Sequence, residues 1–202
     1  MSSTNIHLSR RTILHGAAVT SASAMLAGCG DDPAPGPSAD VEPLNTLLRA
    51  EFGAIVAYEA GAMVLTDRIN TPMGDPLAGF AQTLLGVASK WKAHHQAHAA
   101  ALQAAIRANN GTPIAASTVT FTAPAGFTQT VRSVLVLACN AEKHAAVAYN
   151  DTVQNLATTD SRFLVGNIGG DEAMHFVVLY SLLKQVATVN VATLIGRMDA
   201  LD

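Results

Sequence analysis

The chain has 202 residues, which is enough for one domain with a substantial hydrophobic core. Half of the residues are hydrophobic and only 13% are charged, but more than a third of the hydrophobic residues are alanines, which favour helices. Aromatic residues make up 5% of the chain, too few for a β-sandwich, a barrel or a base-stacking surface. A formal charge of −3 without a basic run argues against nucleic acid as a partner. The composition therefore predicts a soluble α-helical protein.

The first 28 residues have the composition of a bacterial export signal. Arg10 and Arg11 precede a moderately apolar run, residues 13–27, and the run ends at Leu26-Ala27-Gly28-Cys29. The paired arginines resemble a twin-arginine signal, and the tetrapeptide resembles the lipobox of bacterial lipoproteins. We therefore expect residues 1–28 to be removed and Cys29 to carry a lipid that anchors the protein to a membrane on the periplasmic side of the envelope. An ordinary basic leader and a chance tetrapeptide are the alternatives.

Residues 29–42 are predicted to form a flexible tether between the lipid and a folded domain at residues 43–202. The stretch is rich in proline and acidic residues, a composition typical of linkers. Removal of Arg10 and Arg11 with the signal would leave a formal charge of about −5 on the mature chain. With Cys29 acylated, Cys139 has no partner for an intramolecular disulfide, and the apolar run before it predicts a buried thiol.

Four long segments have the hydrophobic period of bundle helices, at about residues 43–70, 76–108, 128–157 and 161–186. Short turns join the first pair and the second pair, so each pair is expected to form an antiparallel hairpin. Residues 109–127 can extend to ~60 Å, which exceeds the ~45 Å length of a 30-residue helix. The prediction is an all-α four-helix bundle of two hairpins joined by a long crossover, with a short fifth helix at 191–201.

The two hairpins carry the same polar pattern. Glu51 precedes Tyr58 by seven residues, and Glu142 precedes Tyr149 by seven, so each pair shares a helix face. The second helix of each hairpin carries an i, i+3 pair that ends in histidine, namely His95 with His98 and Glu172 with His175. The repetition of both patterns indicates an internal duplication of one hairpin.

Three glutamates and three histidines thus lie on the seams that face the bundle interior. Any of them alone could be a rim or core residue, but an unpaired buried carboxylate costs several kcal/mol. A shared metal ion would satisfy all six. Carboxylate and imidazole ligands together suit iron, manganese or zinc and do not suit copper(I). The repeated pattern therefore favours a metal site.

On these motifs, residues 43–186 resemble the bacterial ferritin-like family related to rubrerythrin and bacterioferritin. The resemblance implies a ferritin-like fold and a di-metal centre with Glu51 and Glu142 as bridging ligands. It also implies that Glu172 and His175 form the Glu-x-x-His motif of the fourth helix, and that His98 is the histidine of the second-helix motif.

Position 95 departs from the family pattern, which has glutamate where this chain has histidine. Imidazole brings no negative charge, and it is not expected to bridge two ions as a carboxylate does. The site would then hold one or two ions with three carboxylates. Tyr58 and Tyr149 are predicted to bond the seam carboxylates, and His94, Asp171 and Glu59 could substitute as ligands.

Gly166, Gly169 and Gly170 precede the Glu172 motif inside the fourth segment. Each glycine costs a helix interior ~1 kcal/mol relative to alanine. Three explanations stay open from the sequence: a helix break, a bulge, or a close approach of another helix beside the site.

Two functions follow from these patterns. The first is an exported protein that binds iron or manganese, with zinc as a further candidate, and that handles oxygen or peroxide as an oxidoreductase. No Cys-x-x-Cys pair provides an electron relay, so this function needs a separate, unknown redox partner. The second is a metal-free bundle with a structural, interaction or stress-protective role at the envelope. A homodimer is compatible with both.

Overall fold

Four long helices make up most of the structure, a computed structural model that describes residues 36–72 and 74–186. They are α1 (Val41–Asn70), α2 (Ala81–Ala108), α3 (Val131–Val153) and α4 (Thr159–Val186), with short 3₁₀ turns at Ala78–Phe80 and Ala116–Thr118. No strand occurs among the described residues. The all-α four-helix prediction is confirmed. The predicted fifth helix at 191–201 and the signal at 1–28 lie outside the described residues.

The helices associate as two hairpins, α1 with α2 and α3 with α4, and the hairpins meet through α1–α3 and α2–α4 contacts. Residues 109–130 form the crossover between the hairpins, as predicted. Asn45 on α1 holds its first part in place: the side-chain amide donates to the Thr112 carbonyl at 3.1 Å, and its oxygen accepts from the Ile114 amide at 2.9 Å.

The helix ends differ from the predicted ones by a few residues because local caps decide them. Thr130, in an extended conformation, accepts a hydrogen bond from the Ser133 amide, so α3 begins at Val131 and not at 128. The turn at Ala78–Phe80 delays the start of α2 to Ala81. α1 begins at Val41, so the folded part includes the last residues of the predicted tether.

Two apolar clusters fill the bundle on either side of its polar middle. One contains Leu65, Leu135 and Leu179 together with Tyr58. The other contains Leu48, Leu102, Ile106 and Val165 together with Tyr149. Cys139 is buried in the first cluster as a free thiol. The seam glutamates and histidines lie between these two cores, which exclude water from them. Within the described residues, no helix has the length and apolar character needed to cross a membrane.

Candidate metal centre

The six seam residues predicted as ligands converge in the middle of the bundle, and all four helices contribute. α1 supplies Glu51, α2 supplies His95 and His98, α3 supplies Glu142, and α4 supplies Glu172 and His175. None of the six is more than 7% exposed. Such burial of three carboxylates and three imidazoles is costly unless the groups satisfy one another or share an ion.

The six residues form two overlapping quartets, each with its ligand atoms within 4.8 Å of one another. The first quartet is Glu51, His95, His98 and Glu172, and the second is His95, Glu142, Glu172 and His175. Glu172 and His95 belong to both quartets, whereas Glu51 and Glu142 each belong to one. The resemblance had assigned the bridging positions to Glu51 and Glu142. In the structure, the shared positions are Glu172 and His95.

The ring of His95 lies between the two quartets with one nitrogen toward each. Its Nδ1 is 2.8 Å from Glu51 Oε2, and its Nε2 is 3.3 Å from Glu142 Oε1. From the sequence, an imidazole is not expected to bridge two ions as a carboxylate does. The structure shows a different arrangement, in which two atoms on opposite sides of one ring face the two halves of the centre.

The other two histidines present Nδ1 inward and Nε2 outward. His98 Nδ1 lies 3.0 Å from Glu172 Oε1, and its Nε2 lies 3.4 Å from Asp171 Oδ2. His175 Nδ1 lies 3.3 Å from Glu142 Oε2, and its Nε2 lies 2.9 Å from His94 Nδ1. An outer partner on the second ring nitrogen fixes the orientation of ligating histidines in many metal sites. Asp171 and His94 therefore lie beside the cluster and orient its histidines.

The tyrosine of each hairpin forms a hydrogen bond with the glutamate of the other hairpin. Tyr58 of α1 donates its hydroxyl hydrogen to Glu142 of α3, and Tyr149 of α3 donates to Glu51 of α1. Each repeat unit thus supplies the tyrosine that holds the other unit's glutamate. Burial and the facing carboxylates raise the pKa of both hydroxyls, so both stay protonated as donors.

In the cluster, protons on the histidines offset the negative charges of the glutamates. Burial opposes a proton on His95, but hydrogen bonds to Glu142 and Glu51 outweigh it and raise its pKa to about 10. Burial also opposes a proton on His98, but the neighbouring carboxylates of Glu172 and Glu51 outweigh this effect and raise the pKa of His98 to about 10. Burial would raise the pKa of Glu51, yet the facing imidazoles hold it below the usual value. Burial raises the pKa of Glu172.

Three buried atoms identify where an ion would fit. His98 Nδ1 and both carboxylate oxygens of Glu172 have no partner at hydrogen-bonding angles, although His98 Nδ1 and one of these oxygens are only 3.0 Å apart. Unpartnered buried acceptors are rare in proteins and need an explanation. Buried carboxylates and imidazoles whose ligand atoms lie this close together fit iron, manganese or zinc, which would replace protons on the imidazoles.

Two neighbours complete the description of the centre. Trp91, which is not among the predicted site residues, stacks on His175 with ring centroids 4.4 Å apart. Its position one helical turn before His95 was the available signal for a place beside the site. Glu59, a predicted substitute ligand, is exposed and pairs with Lys92 at 3.4 Å, so it lies outside the cluster.

Fold and site together define a four-helix bundle of the carboxylate- and histidine-bearing kind. A sequence model of the ferritin-like domain family matches residues 39–185, and the chain belongs to this family. A search of curated proteins finds no significant relative.

Solved structures support the same fold. A ferritin-like, diiron-carboxylate protein of Bacillus anthracis str. Ames is 24% identical with a TM-score of 0.55, over 71% of this chain and 94% of that one. The bacterioferritin of Rhodobacter capsulatus, described with a metal-free dinuclear site and haem iron, is 22% identical with a TM-score of 0.56, over 72% of this chain and 85% of that one.

Proposed function

We propose that the protein binds one or two transition-metal ions at the six-residue cluster and uses them in oxygen or peroxide chemistry. Iron and manganese are the favoured ions, and zinc is a further candidate. The observation that carries the proposal is Glu172, which is fully buried, belongs to both quartets and faces the imidazoles without a hydrogen bond at suitable angles to either carboxylate oxygen. The diiron-carboxylate and dinuclear descriptions of the similar structures support it.

Iron or manganese, when bound, supplies the redox chemistry that oxygen or peroxide handling requires. The residues of this chain bind, orient and insulate. Glu51, His98 and Glu172 would hold one ion, and Glu142, His175 and Glu172 the other, with His95 between them. Tyr58 orients Glu142 and Tyr149 orients Glu51, in each case by a hydrogen bond from the tyrosine hydroxyl. The two apolar cores exclude bulk water from both quartets.

Metal content tests the proposal. The glutamate variants should differ in metal content, because Glu172 belongs to both quartets whereas Glu51 and Glu142 belong to one each. Protein purified without added metal, then titrated with iron(II), manganese(II) and zinc, is measured for bound metal per chain. We expect one or two ions in the native protein, loss of all binding in Glu172→Ala, and partial loss in Glu51→Ala and Glu142→Ala. Glu59→Ala removes an exposed glutamate from α1 and should bind as the native protein does. Circular dichroism confirms folding of each variant.

A metal-free bundle is the second candidate, favoured by the histidine at position 95. A protonated His95 hydrogen-bonded to Glu51 and Glu142 offsets buried negative charge without any ion. Native protein that stays metal-free and refuses all three ions on titration would reject the first proposal and establish this one.

We also propose that the protein acts at the cell envelope, exported through residues 1–28 and held by a lipid on Cys29. The twin-arginine route carries folded proteins, so a metal bound before export would be retained. In a bacterial host, the native protein should incorporate labelled palmitate and should be found in the membrane fraction. Cys29→Ser should remove label and membrane association together, whereas Cys139→Ser should keep both. Unlabelled native protein in the soluble fraction would contradict the anchor.

A further inference from the structure

An apolar pocket opens between α1, α2 and α3, beside the crossover. Its cavity volume is about 80 Å³, roughly half that of the ~150 Å³ apolar cavity that binds benzene, so a thin chain fits it better than a ring. Small residues create the space, with Ala54, Ala57 and Gly61 on α1 and Ala138 on α3, while Phe121 of the crossover forms part of the wall. The lining consists of apolar and aromatic residues throughout.

The inner wall of this pocket is also the outer wall of the metal centre. The ring of Tyr58 lines the pocket, and its hydroxyl donates to Glu142. Trp91 also lines the pocket, and its ring stacks on His175 at 4.4 Å between centroids. A molecule in the pocket therefore contacts two side chains that each touch a candidate metal ligand.

We propose that this pocket binds a short unbranched alkyl chain beside the candidate metal centre. Binding stands on the pocket alone, whereas any effect of the bound chain on a metal ion rests on the proposed metal function. The polar end of an amphipathic chain would stay at the mouth, where Ala141 is exposed to solvent.

The chemistry of the lining selects this class of ligand. A phosphate, a sugar or a carboxylate inside the pocket would lose its hydration without gaining a hydrogen-bonding partner, which is unfavourable by several kcal/mol. An alkyl chain instead gains free energy from every apolar contact, because each contact removes apolar surface from water.

Trp91 is the only tryptophan of the chain, so its fluorescence reports on the pocket directly. The probe is bromohexanol, whose bromine quenches indole fluorescence on contact. Bromoethanol is the matched control, because it carries the same bromine without the alkyl chain. In EDTA-treated full-length protein we expect saturable quenching by bromohexanol and linear, collisional quenching by bromoethanol.

A pair of variants on α3 locates the binding. Ala138→Leu places a side chain in the pocket, and Ala148→Leu places the same side chain at an exposed position. We expect Ala138→Leu to weaken bromohexanol binding by about tenfold or more and Ala148→Leu to leave it unchanged. Ala54→Leu fills the pocket from α1 and replaces Ala138→Leu if that variant does not fold.

Linear quenching of the native protein by both alcohols would overturn the proposal, as would equal affinities in the pocket variant and the exposed variant. Metal uptake is measured separately on the same preparations. Saturable quenching by a protein that takes up no metal supports the pocket and rejects the metal function. Metal uptake without saturable quenching rejects the pocket and leaves the metal function intact.

Discussion

The residue at position 95 decides how much negative charge the cluster carries. With histidine there, three carboxylates face any bound ions, and His95 contacts Glu51 and Glu142 through its two nitrogens. His95→Glu would add a fourth carboxylate and remove a group that carries a proton in the metal-free protein. We expect the weaker of two manganese(II) ions to bind about tenfold more tightly, a gain of ~1.4 kcal/mol. The metal-free variant should melt at a lower temperature than metal-free native protein.

Isothermal titration calorimetry with manganese(II) measures the first effect, and melting in EDTA measures the second. His95→Gln is the control, because it removes the imidazole and adds no charge, so it should weaken metal binding. A His95→Glu variant that binds no more ions and no more tightly than the native protein would contradict this account.

The identity of the six clustered residues was predictable, because helical spacing and the repeat place them on inward faces. Their division into two quartets was not predictable from the sequence. It depends on the rotation of each helix and on side-chain rotamers, so the sequence could not show that Glu172 is shared while Glu51 is not. The inward Nδ1 of His98 depends likewise on an outer partner, Asp171, whose position is set by α4.

At the scale of elements, a glycine lets α4 approach α3 beside the site. The helix runs unbroken through all three glycines, so the break and the bulge are excluded. A Cβ at Gly169 would lie 3.0 Å from Tyr149 Cβ, whereas a Cβ at Gly170 would meet nothing within 4 Å. Of the three explanations left open by the sequence, close approach applies at Gly169.

Two alanine substitutions on successive residues of α4 should therefore have opposite effects. Gly170→Ala should stabilise the protein by about 0.5–1 kcal/mol, the ordinary gain in helix propensity. Gly169→Ala should destabilise it, because the methyl group pushes against Tyr149 and overpacking costs about 1–3 kcal/mol. Urea denaturation of the metal-free proteins measures both. Equal stabilisation by the two substitutions would show that α4 can shift without cost.

Asp40 joins the start of α1 to the start of α4. Its carboxylate accepts hydrogen bonds from the Ala157 amide at 2.6 Å, the Thr158 amide at 3.0 Å and the Thr158 hydroxyl at 2.7 Å. Burial alone would raise the pKa of Asp40, but these hydrogen bonds outweigh it and lower the pKa. The ionised form is thus the one that stabilises the fold.

Asp40→Asn should lower the free energy of unfolding at neutral pH by about 1.5–3 kcal/mol, the value for hydrogen bonds to a charged group. Because the folded pKa is lowered, the stabilisation is complete above the unfolded pKa of about 3.9 and is lost as the pH falls through the folded pKa. The difference between native and variant should therefore shrink in acid. Asp160→Asn, at an exposed position in the first turn of α4, should cost under about 1 kcal/mol. A pH-independent difference would contradict the role of the charge.

For the molecule as a whole, the cluster is a buried place where polar contacts join the two hairpins. The tyrosine of each hairpin holds the glutamate of the other, and His95 of the first hairpin contacts Glu142 of the second. The crossover was predictable from its length alone, but these exchanged contacts require the relative placement of the hairpins. An ion in either quartet would bind residues from both hairpins, since each quartet includes Glu172 and His95.

Metal binding should consequently stabilise the entire bundle and not one hairpin. An ion at a free concentration 100 times its dissociation constant adds about 2.7 kcal/mol to the free energy of unfolding. For a domain of this size, that gain corresponds to a rise in Tm of roughly 5–10 °C. Calorimetric scans with manganese(II) and with EDTA measure the rise in Tm. Under each condition the protein should unfold in one cooperative transition. Glu172→Ala should abolish it, while Glu59→Ala should preserve it. Two separate transitions with metal, or a stabilised Glu172→Ala variant, would show that the ion does not bind where the hairpins meet.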